Sequence, residues 1–301
     1  KDGSKQVVLT QTGTKLANIG RMILKADGTI SAQLISGYTE QNQDTLAFIA
    51  GIESKFAADL AQKVGYTEVA LTVLDPETGN RMVRTRETNL GDLCADAYRY
   101  VLGNGKTGEA YGPADIAFVN GGGVRADIDA GDITFGEVIS VHPFNNVGCV
   151  VEASGQEILD ALEMAARLLP EENGGFLQVS GLSYTIDTSI PSTVVTDDKK
   201  NFVQVSGQRR VKDVLVGGEP IDPGKTYTLA SHNYMLLDGG DGINMFRDNT
   251  VVVQAVILGD QILSTDVREY LNGAVGADYA DPYGQGRIQV LTGDAEAKDA
   301  A

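Results

Sequence analysis

Apolar residues recur every three or four positions between Asp44 and Val64, and this is the clearest helical pattern in the chain. Asp44 is a suitable N-cap, and Gly65 is a suitable end for the helix. The pattern predicts one long amphipathic helix, which either connects two domains or packs as an ordinary helix. Its apolar stripe consists of Leu46, Ile49, Ile52, Phe56, Leu60 and Val64.

Strand patterns precede this helix. Apolar and polar residues alternate from Arg21 to Ile35 around the turn residues Ala26, Asp27 and Gly28, which predicts a β-hairpin. A short apolar run at Val7–Thr10 predicts one more strand. Because this segment has no following helix of its own, we expect it to be the edge of a larger unit.

Helical and strand patterns alternate after the long helix, so we expect a large α/β or α+β domain from Glu68 to about Thr292. Capping boxes of the form S/T-x-x-E begin at Thr134 and Ser154. Helices are expected at Asn89–Leu102, from Ser154 to Leu169 and at Asp260–Leu271. Strands are expected at Val69–Leu74, Ile116–Val119, Phe176–Ile186, Val211–Val216, Tyr227–Ala230 and Val251–Leu258.

Composition narrows the possible partners. The chain has 301 residues, 42% of them apolar, and a formal net charge of −17. That charge disfavours a nucleic-acid polymer as partner, although a single nucleotide needs only a local positive pocket. No apolar run is long enough to span a membrane. Lys1 in place of Met indicates a mature or cut form, and whether Cys94 and Cys149 pair stays open.

Two glycine clusters each follow a predicted strand. Asn120–Arg125 contains three glycines, and Asp238–Gly242 contains another three. Glycine lets the backbone approach a ligand closely, so each cluster is either a binding loop or only a sharp turn. Arg125 offers a planar cation, Asn120 an amide and Asp241 a carboxylate, a combination suited to a small polar molecule such as a sugar phosphate.

Other residues add candidate chemistry. Phe144 follows a proline, and its ring either stacks on a base or fills the core. Arg81, Arg84 and Arg86 precede the helix that starts at Asn89, which is a favourable place for an anion unless these are scattered surface arginines. The two histidines, His142 and His232, show no metal-ligand spacing, so we predict no catalytic and no metal-binding residue in this chain.

Five segments occur along the chain in the order Arg84–Asp92, Asn120–Arg125, Pro143–Asn146, Phe176–Gly181 and Gly239–Gly242. Together they resemble the C-terminal, substrate-specificity domain of the 5′-nucleotidase/UDP-sugar hydrolase family. The resemblance covers about residues 68–292 and implies an α+β fold with a mixed β-sheet and packed helices.

The resemblance also implies a domain organisation. Family members carry an N-terminal metallophosphatase domain with two divalent metal ions, and its D-x-H, N-H-E/D and G-H-x-H motifs are missing here. The chain thus resembles a truncated, exported bacterial member that needs no cofactor of its own and is inactive alone. Residues 1–43 are then a remnant of the metallophosphatase domain, residues 44–66 the linker helix, residues 67–293 the nucleoside-binding domain, and residues 294–301 a disordered tail.

Binding roles are implied residue by residue. Arg84, Asn120, Arg125 and Asp241 are expected to contact the ribose or its surroundings, with Asn146 nearby. Phe144 is expected to form one wall of a base clamp, and Met235 the other, unless Tyr234 takes that place. The expected partner is a nucleoside or nucleotide, of open base preference. Alternatives are a stand-alone nucleotide- or sugar-binding module, a structural surface domain, or a parent enzyme acting on 2′,3′-cyclic nucleotides or UDP-sugars. The oligomeric state stays open.

Overall fold

The computed structural model describes residues 8–13, 17–103, 113–254 and 257–292. The chain divides into two compact units, residues 1–57 and residues 58–301. Residues 8–10 form no strand, so the strand expected at Val7–Thr10 is absent from its described part. The expected tail at 294–301 lies outside the described residues.

The first unit contains the predicted hairpin. Strands β1 (Ile19–Leu24) and β2 (Ile30–Ile35) pair antiparallel, with Leu24 opposite Ile30. The turn forms because Gly28 adopts a left-handed φ of 84° and the Asp27 carboxylate accepts the Thr29 N–H at 2.9 Å. The alternating pattern therefore predicted this hairpin correctly.

The long helix α1 (Gln43–Leu60) also exists, with different ends. Asn42, not Asp44, caps it, because the Asn42 Oδ1 accepts the Thr45 N–H at 2.9 Å. The helix ends at Leu60 and not at Gly65, since residues 63–67 form a strand in which Val64 is buried. Val64 continues the apolar spacing of the helix only by coincidence.

The second unit combines helices with mixed sheets, so the α+β expectation is confirmed. Its helices are α2 (Asn89–Gly103), α3 (Phe135–Val141), α4 (Gly155–Ala166), α5 (Asn233–Leu236) and α6 (Gly259–Thr265). Its strands are β3 (Lys63–Thr67), β4 (Ile116–Asn120), β5 (Gly131–Thr134), β6 (Gly148–Ser154), β7 (Leu177–Ser180), β8 (Leu182–Asp187), β9 (Val194–Thr196), β10 (Phe202–Val205), β11 (Val211–Val216), β12 (Glu219–Pro220), β13 (Thr226–His232), β14 (Val251–Val253), β15 (Ala274–Val275) and β16 (Ile288–Leu291).

A five-stranded sheet in the order β14-β6-β13-β4-β7 lies at the centre of this unit. Strands β4 and β13 run parallel, while the other neighbours run antiparallel. The remaining sheets are β12-β11-β8-β16, β15-β3-β5 and the pair β10-β9. Because β4 and β13 are parallel neighbours, the loops that follow them leave the same edge of the sheet.

Side chains of the central sheet point alternately into two apolar cores. On β4, Ala117 and Val119 pack with α2 and α6, whereas Ile116 and Phe118 pack with α4 and the β8-β11 sheet. Cys94 lies in one of these cores and Cys149 in the other. Both are buried and free, so they form no disulfide. Among the described residues, no helix is long and apolar enough to cross a bilayer.

Some expected elements differ from the structure. The strand expected at Val69–Leu74 is wrong, because that segment makes only isolated bridges, such as Leu71 with Ile128. The strand expected at Phe176–Ile186 is two strands, broken at Gly181 with its left-handed φ of 73°. Both predicted capping boxes are present, at Thr134 before α3 and at Ser154 before α4.

Candidate functional site

The loops after β4 and β13 meet around a cavity of about 340 Å³ at one edge of the central sheet. Both glycine clusters singled out in the sequence contribute to this place, as does the loop that carries Phe144. The cavity is lined by Arg84, Asn120, Gly122, Gly123, Phe144, Asn146, Gly174, Tyr234 and Asp241. Five of the seven predicted binding residues therefore line one cavity.

Asn120 and Asp241 touch directly, although 121 positions separate them in the sequence. The Asn120 Nδ2 donates to the Asp241 Oδ2 at 2.8 Å, and the Tyr234 hydroxyl donates to the Asp241 Oδ1 at 3.2 Å. Asp241 adopts a left-handed φ of 55°, which is uncommon for a residue with a side chain. The backbone of this loop is thus held in an unusual conformation that presents the carboxylate to the cavity.

Arg84 provides positive charge on another side of the cavity. Its guanidinium lies 3.7 Å from the Glu172 carboxylate, and its Nε is buried without a hydrogen-bond partner among the described residues. Burial and the nearby charges of Arg81 and Arg125 lower the pKa of Arg84, against the opposing charges of Glu172 and Asp241. The Oδ1 of Asn120 is also buried and unpartnered in the described part of the chain. A sugar hydroxyl, which both donates and accepts, suits such a donor and acceptor.

The side chain of Gln178 fixes the backbone on both sides of Arg84. Its buried side-chain amide donates to the carbonyl oxygens of Val83, at 3.1 Å, and Arg86, at 2.8 Å. Its Oε1 accepts the Thr88 N–H at 3.2 Å. The backbone on both sides of Arg84 is thereby fixed by one side chain of β7.

Phe144 lines the cavity, and Arg125 contacts its ring. The Phe144 ring is 50% exposed, so it does not fill the core, and it is free to contact a ligand. The Arg125 guanidinium lies 5.7 Å from the centre of that ring and donates to the Gly122 carbonyl oxygen at 3.5 Å. Arg125 therefore contacts two of the lining residues, Gly122 and Phe144, without lining the cavity itself.

Met235 is not where the sequence placed it. Its side chain is only 1% exposed and packs in the apolar core with α4, so it cannot face Phe144 across the cavity. Tyr234, the preceding residue, lines the cavity and is 37% exposed. Neighbouring residues of a helical turn point about 100° apart, and on α5 Tyr234 lies at the cavity while Met235 lies in the core. Of the two residues that the sequence left open, Tyr234 is the one that lines the cavity.

The sequence reasoning missed the contribution of Gly174. Its carbonyl oxygen accepts the Gly122 N–H at 2.7 Å, and this bond joins the loop before β7 to the first glycine cluster. The pair Gly174-Gly175, next to a predicted strand, was the available signal.

The chain's two histidines pack behind this site. His142 and His232 both make edge-on contacts with the Tyr98 ring, at centroid distances of 6.0 and 5.8 Å. Burial lowers the pKa of His142 to about 4 and that of His232 to about 3, so both are neutral at physiological pH. Among the described residues, no group of three or more His, Cys, Asp or Glu side chains could hold a metal ion.

We expect Gly240→Ala to disturb this site strongly. A Cβ at position 240 would lie 2.2 Å from the Tyr234 ring, and that ring must shift, which takes its hydroxyl away from Asp241. Overpacking of this kind lowers the free energy of unfolding by about 1–3 kcal/mol, measurable by urea-induced unfolding. Gly276→Ala is the control, because a Cβ there meets nothing within 4 Å and the residue has a negative φ. Equal stability of the two variants would contradict the expected clash.

The chain is similar to several known proteins. Residues 63–248 match the family described as "5'-nucleotidase, C-terminal domain". The trifunctional nucleotide phosphoesterase protein YfkN of Bacillus subtilis is 35% identical over 73% of this chain, and protein UshA of Escherichia coli is 28% identical over 84%. The crystal structure of a 5′-nucleotidase precursor from Thermus thermophilus covers 92% of this chain, with a TM-score of 0.67 and 26% identity.

Each of these relatives is longer than the matched region. The chain spans 14% of the YfkN length, 39% of the UshA length and 50% of the Thermus thermophilus chain. The family match covers more than half of the present sequence and includes every residue of the cavity. The chain therefore belongs to the 5′-nucleotidase C-terminal domain family.

Proposed function

We propose that this chain is the nucleoside-recognition part of a metal-dependent nucleotide phosphohydrolase, exported from a bacterial cell. The observation that carries the proposal is the convergence of a cation, an amide, a carboxylate and an exposed aromatic ring on one cavity. Arg84, Asn120 and Asp241 supply the polar groups, and Phe144 supplies the ring. These are the groups that a ribose and a stacked base require.

The proposed roles divide by chemistry. The Asp241 carboxylate accepts hydrogen bonds from ribose hydroxyls, and Arg84 donates to ribose or phosphate oxygens. Phe144 stacks on the base, with Arg125 against the other face of the ring, and Tyr234 both bounds the cavity and holds Asp241 through its hydroxyl. Asn146 lines the same wall as Phe144 and completes the polar surroundings of the base.

Phosphate-ester hydrolysis is assigned to another part of the parent protein. The two divalent metal ions that the family implies would activate water and stabilise the leaving oxygen. The described residues of this chain offer no fitting set of ligands for these ions. The names of the relatives, which include a 5′-nucleotidase precursor and a nucleotide phosphoesterase, support a nucleotide as the substrate of the parent protein.

A titration of the purified chain with adenosine, followed by calorimetry, tests the proposal. We expect saturable binding, and we expect Phe144→Ala to weaken it by about 1–3 kcal/mol because a stacked base loses its aromatic partner. Folding stability should change little, since the ring is half exposed. Phe48→Ala, which removes a ring that is 69% exposed outside the cavity, is the matched control and should bind as the wild type does.

The same titration separates the alternatives. Equal affinity for adenosine and free ribose, with no effect of Phe144→Ala, would indicate a sugar-binding module. Stronger binding of a 2′,3′-cyclic nucleotide or a UDP-sugar than of AMP would indicate one of the other parent enzymes. No saturable binding of any of these would refute the proposal and favour a structural surface domain.

A further inference from the structure

A second, larger cavity lies at the opposite end of the central sheet. It has a volume of about 620 Å³. It borders Ser180, which pairs with Ala117 near the beginning of β4, and Gly181, which follows Ser180. The first cavity lies at Asn120, where β4 ends. The two cavities share no lining residue, so the roles proposed above leave the second one unexplained.

Three aspartates border this second cavity, and two of them, Asp96 and Asp266, are in very different states. Asp96 accepts hydrogen bonds from the Ser180 hydroxyl, the Tyr279 hydroxyl and both terminal nitrogens of Arg287, at 2.5 to 2.9 Å. Asp266 is 1% exposed, and its Oδ2 has no hydrogen-bond partner among the described residues. A buried polar group without a partner costs free energy, so the Asp266 carboxyl in this cavity wall is a candidate partner for a ligand.

The backbone at Asp266 also has an unusual conformation. Asp266–Tyr270 forms a π-helical turn at the end of α6, and both end residues border the cavity. Such turns are rare and occur frequently at functional sites. The Tyr270 ring stacks on Tyr100, with centroids 6.1 Å apart and planes 28° apart, and supplies an aromatic surface next to the carboxyl.

The charges at the cavity favour a cation. Asp96 and Arg287 neutralise each other, which leaves Asp266 and Asp278 against Arg99. Arg99 is already turned to the Tyr100 ring, 5.7 Å from its centre, and its Nε donates to the Ala114 carbonyl oxygen at 2.8 Å. With Asp266 ionised, the balance of these groups is one negative charge. A bare metal ion is a poor occupant, because no cluster of three ligand side chains exists among the described residues.

We propose that this second cavity binds a small organic cation, an amidinium or ammonium group on an apolar body. The cationic head pairs with the Asp266 carboxyl, and the body lies against the Tyr100–Tyr270 stack. Burial and the charge of Asp96 raise the pKa of Asp266 to about 7, which shows how unfavourable its charge is without a partner. A bound cation removes that penalty, since it stabilises the ionised carboxyl.

Benzamidine is a suitable probe, and benzamide, its neutral analogue of the same shape, is the control ligand. In a heteronuclear NMR titration of the whole chain, benzamidine should shift the backbone amide signals of Gly181, Gly217 and Gly218, which border the second cavity. The signals of Gly122 and Gly123 at the first cavity should stay in place. This readout needs no variant, so it does not depend on how any substitution folds, nor on whether nucleosides bind.

Asp266→Asn then tests the carboxyl itself. We expect roughly a tenfold or greater loss of benzamidine affinity, because a charge-assisted pair becomes a neutral contact. Asp260→Asn, a carboxylate of α6 that does not border the cavity, should bind benzamidine as the wild type does. Equal shifts with benzamide, shifts confined to Gly122 and Gly123, no saturable shifts, or unchanged affinity in a folded Asp266→Asn protein would each overturn the proposal.

Discussion

Replacing Arg287 by methionine is expected to lower the free energy of unfolding by about 3–5 kcal/mol, because it leaves the buried Asp96 carboxylate without its charge partner. The Arg287 guanidinium makes a two-pronged contact with Asp96, at 2.9 and 2.7 Å, and also donates to the Val179 carbonyl oxygen at 2.8 Å. These bonds join α2, the end of β7 and the beginning of β16. One substitution therefore weakens three elements of the second unit.

Urea-induced unfolding measures this effect, and Arg268→Met is the matched control. Arg268 is exposed on the π-helical turn, so its replacement should change stability by less than about 0.5 kcal/mol. The double variant Arg287→Met, Asp96→Asn should recover part of the loss, because the remaining side chain is then uncharged. Comparable stability of the two arginine variants would show that the pair contributes little to folding.

Local sequence signals predicted most elements because local interactions determine them. The capping boxes at Thr134 and Ser154 satisfy their own backbone N–H groups, so they appear in the structure as expected. Strand β11 has the predicted bounds, Val211–Val216, since its apolar residues lie between Arg210 and Gly217. The hairpin β1-β2 follows from the turn at Asp27 and Gly28 in the same way.

Errors arose where tertiary pairing decided the outcome. Strand β3 forms because Lys63–Thr67 pairs with β5 and β15, which no local pattern around Gly65 indicates. Val69–Leu74 has the apolar composition of a strand, but only single bridges reach it. Long-range hydrogen bonding thus overrode local propensity in both segments.

The location of the candidate site could be predicted from the sequence, but the packing of its individual side chains could not. Two glycine clusters after two strands indicated a shared cavity, and the parallel pairing of β4 and β13 brings them together. The exposed state of Phe144 and the burial of Met235 depended on tertiary packing, which sequence spacing alone does not determine. The family resemblance supplied the residue roles, and those roles stay predictions until binding is measured.

The Asn120–Asp241 contact is expected to control ligand affinity. Removing the carboxylate in Asp241→Ala should weaken adenosine binding by about 1.5–3 kcal/mol, the usual contribution of a hydrogen bond to a charged group. Asn120→Ala should weaken it too, because the Asn120 Nδ2 holds the Asp241 Oδ2 at 2.8 Å. The two losses should not add in the double variant, since each single change already disrupts the orientation of the same carboxylate.

Calorimetry of the four proteins measures this coupling, with Asp248→Asn as control. Asp248 is an exposed carboxylate seven positions after Asp241 that does not line the cavity, so its replacement tests for the general effect of lost negative charge. That variant should bind adenosine like the wild type. Strictly additive losses would mean that Asn120 and Asp241 contact the ligand independently. An adenosine affinity unaffected by Asp241→Ala would place the nucleoside outside this cavity, because the carboxylate is one of the few charged groups within it.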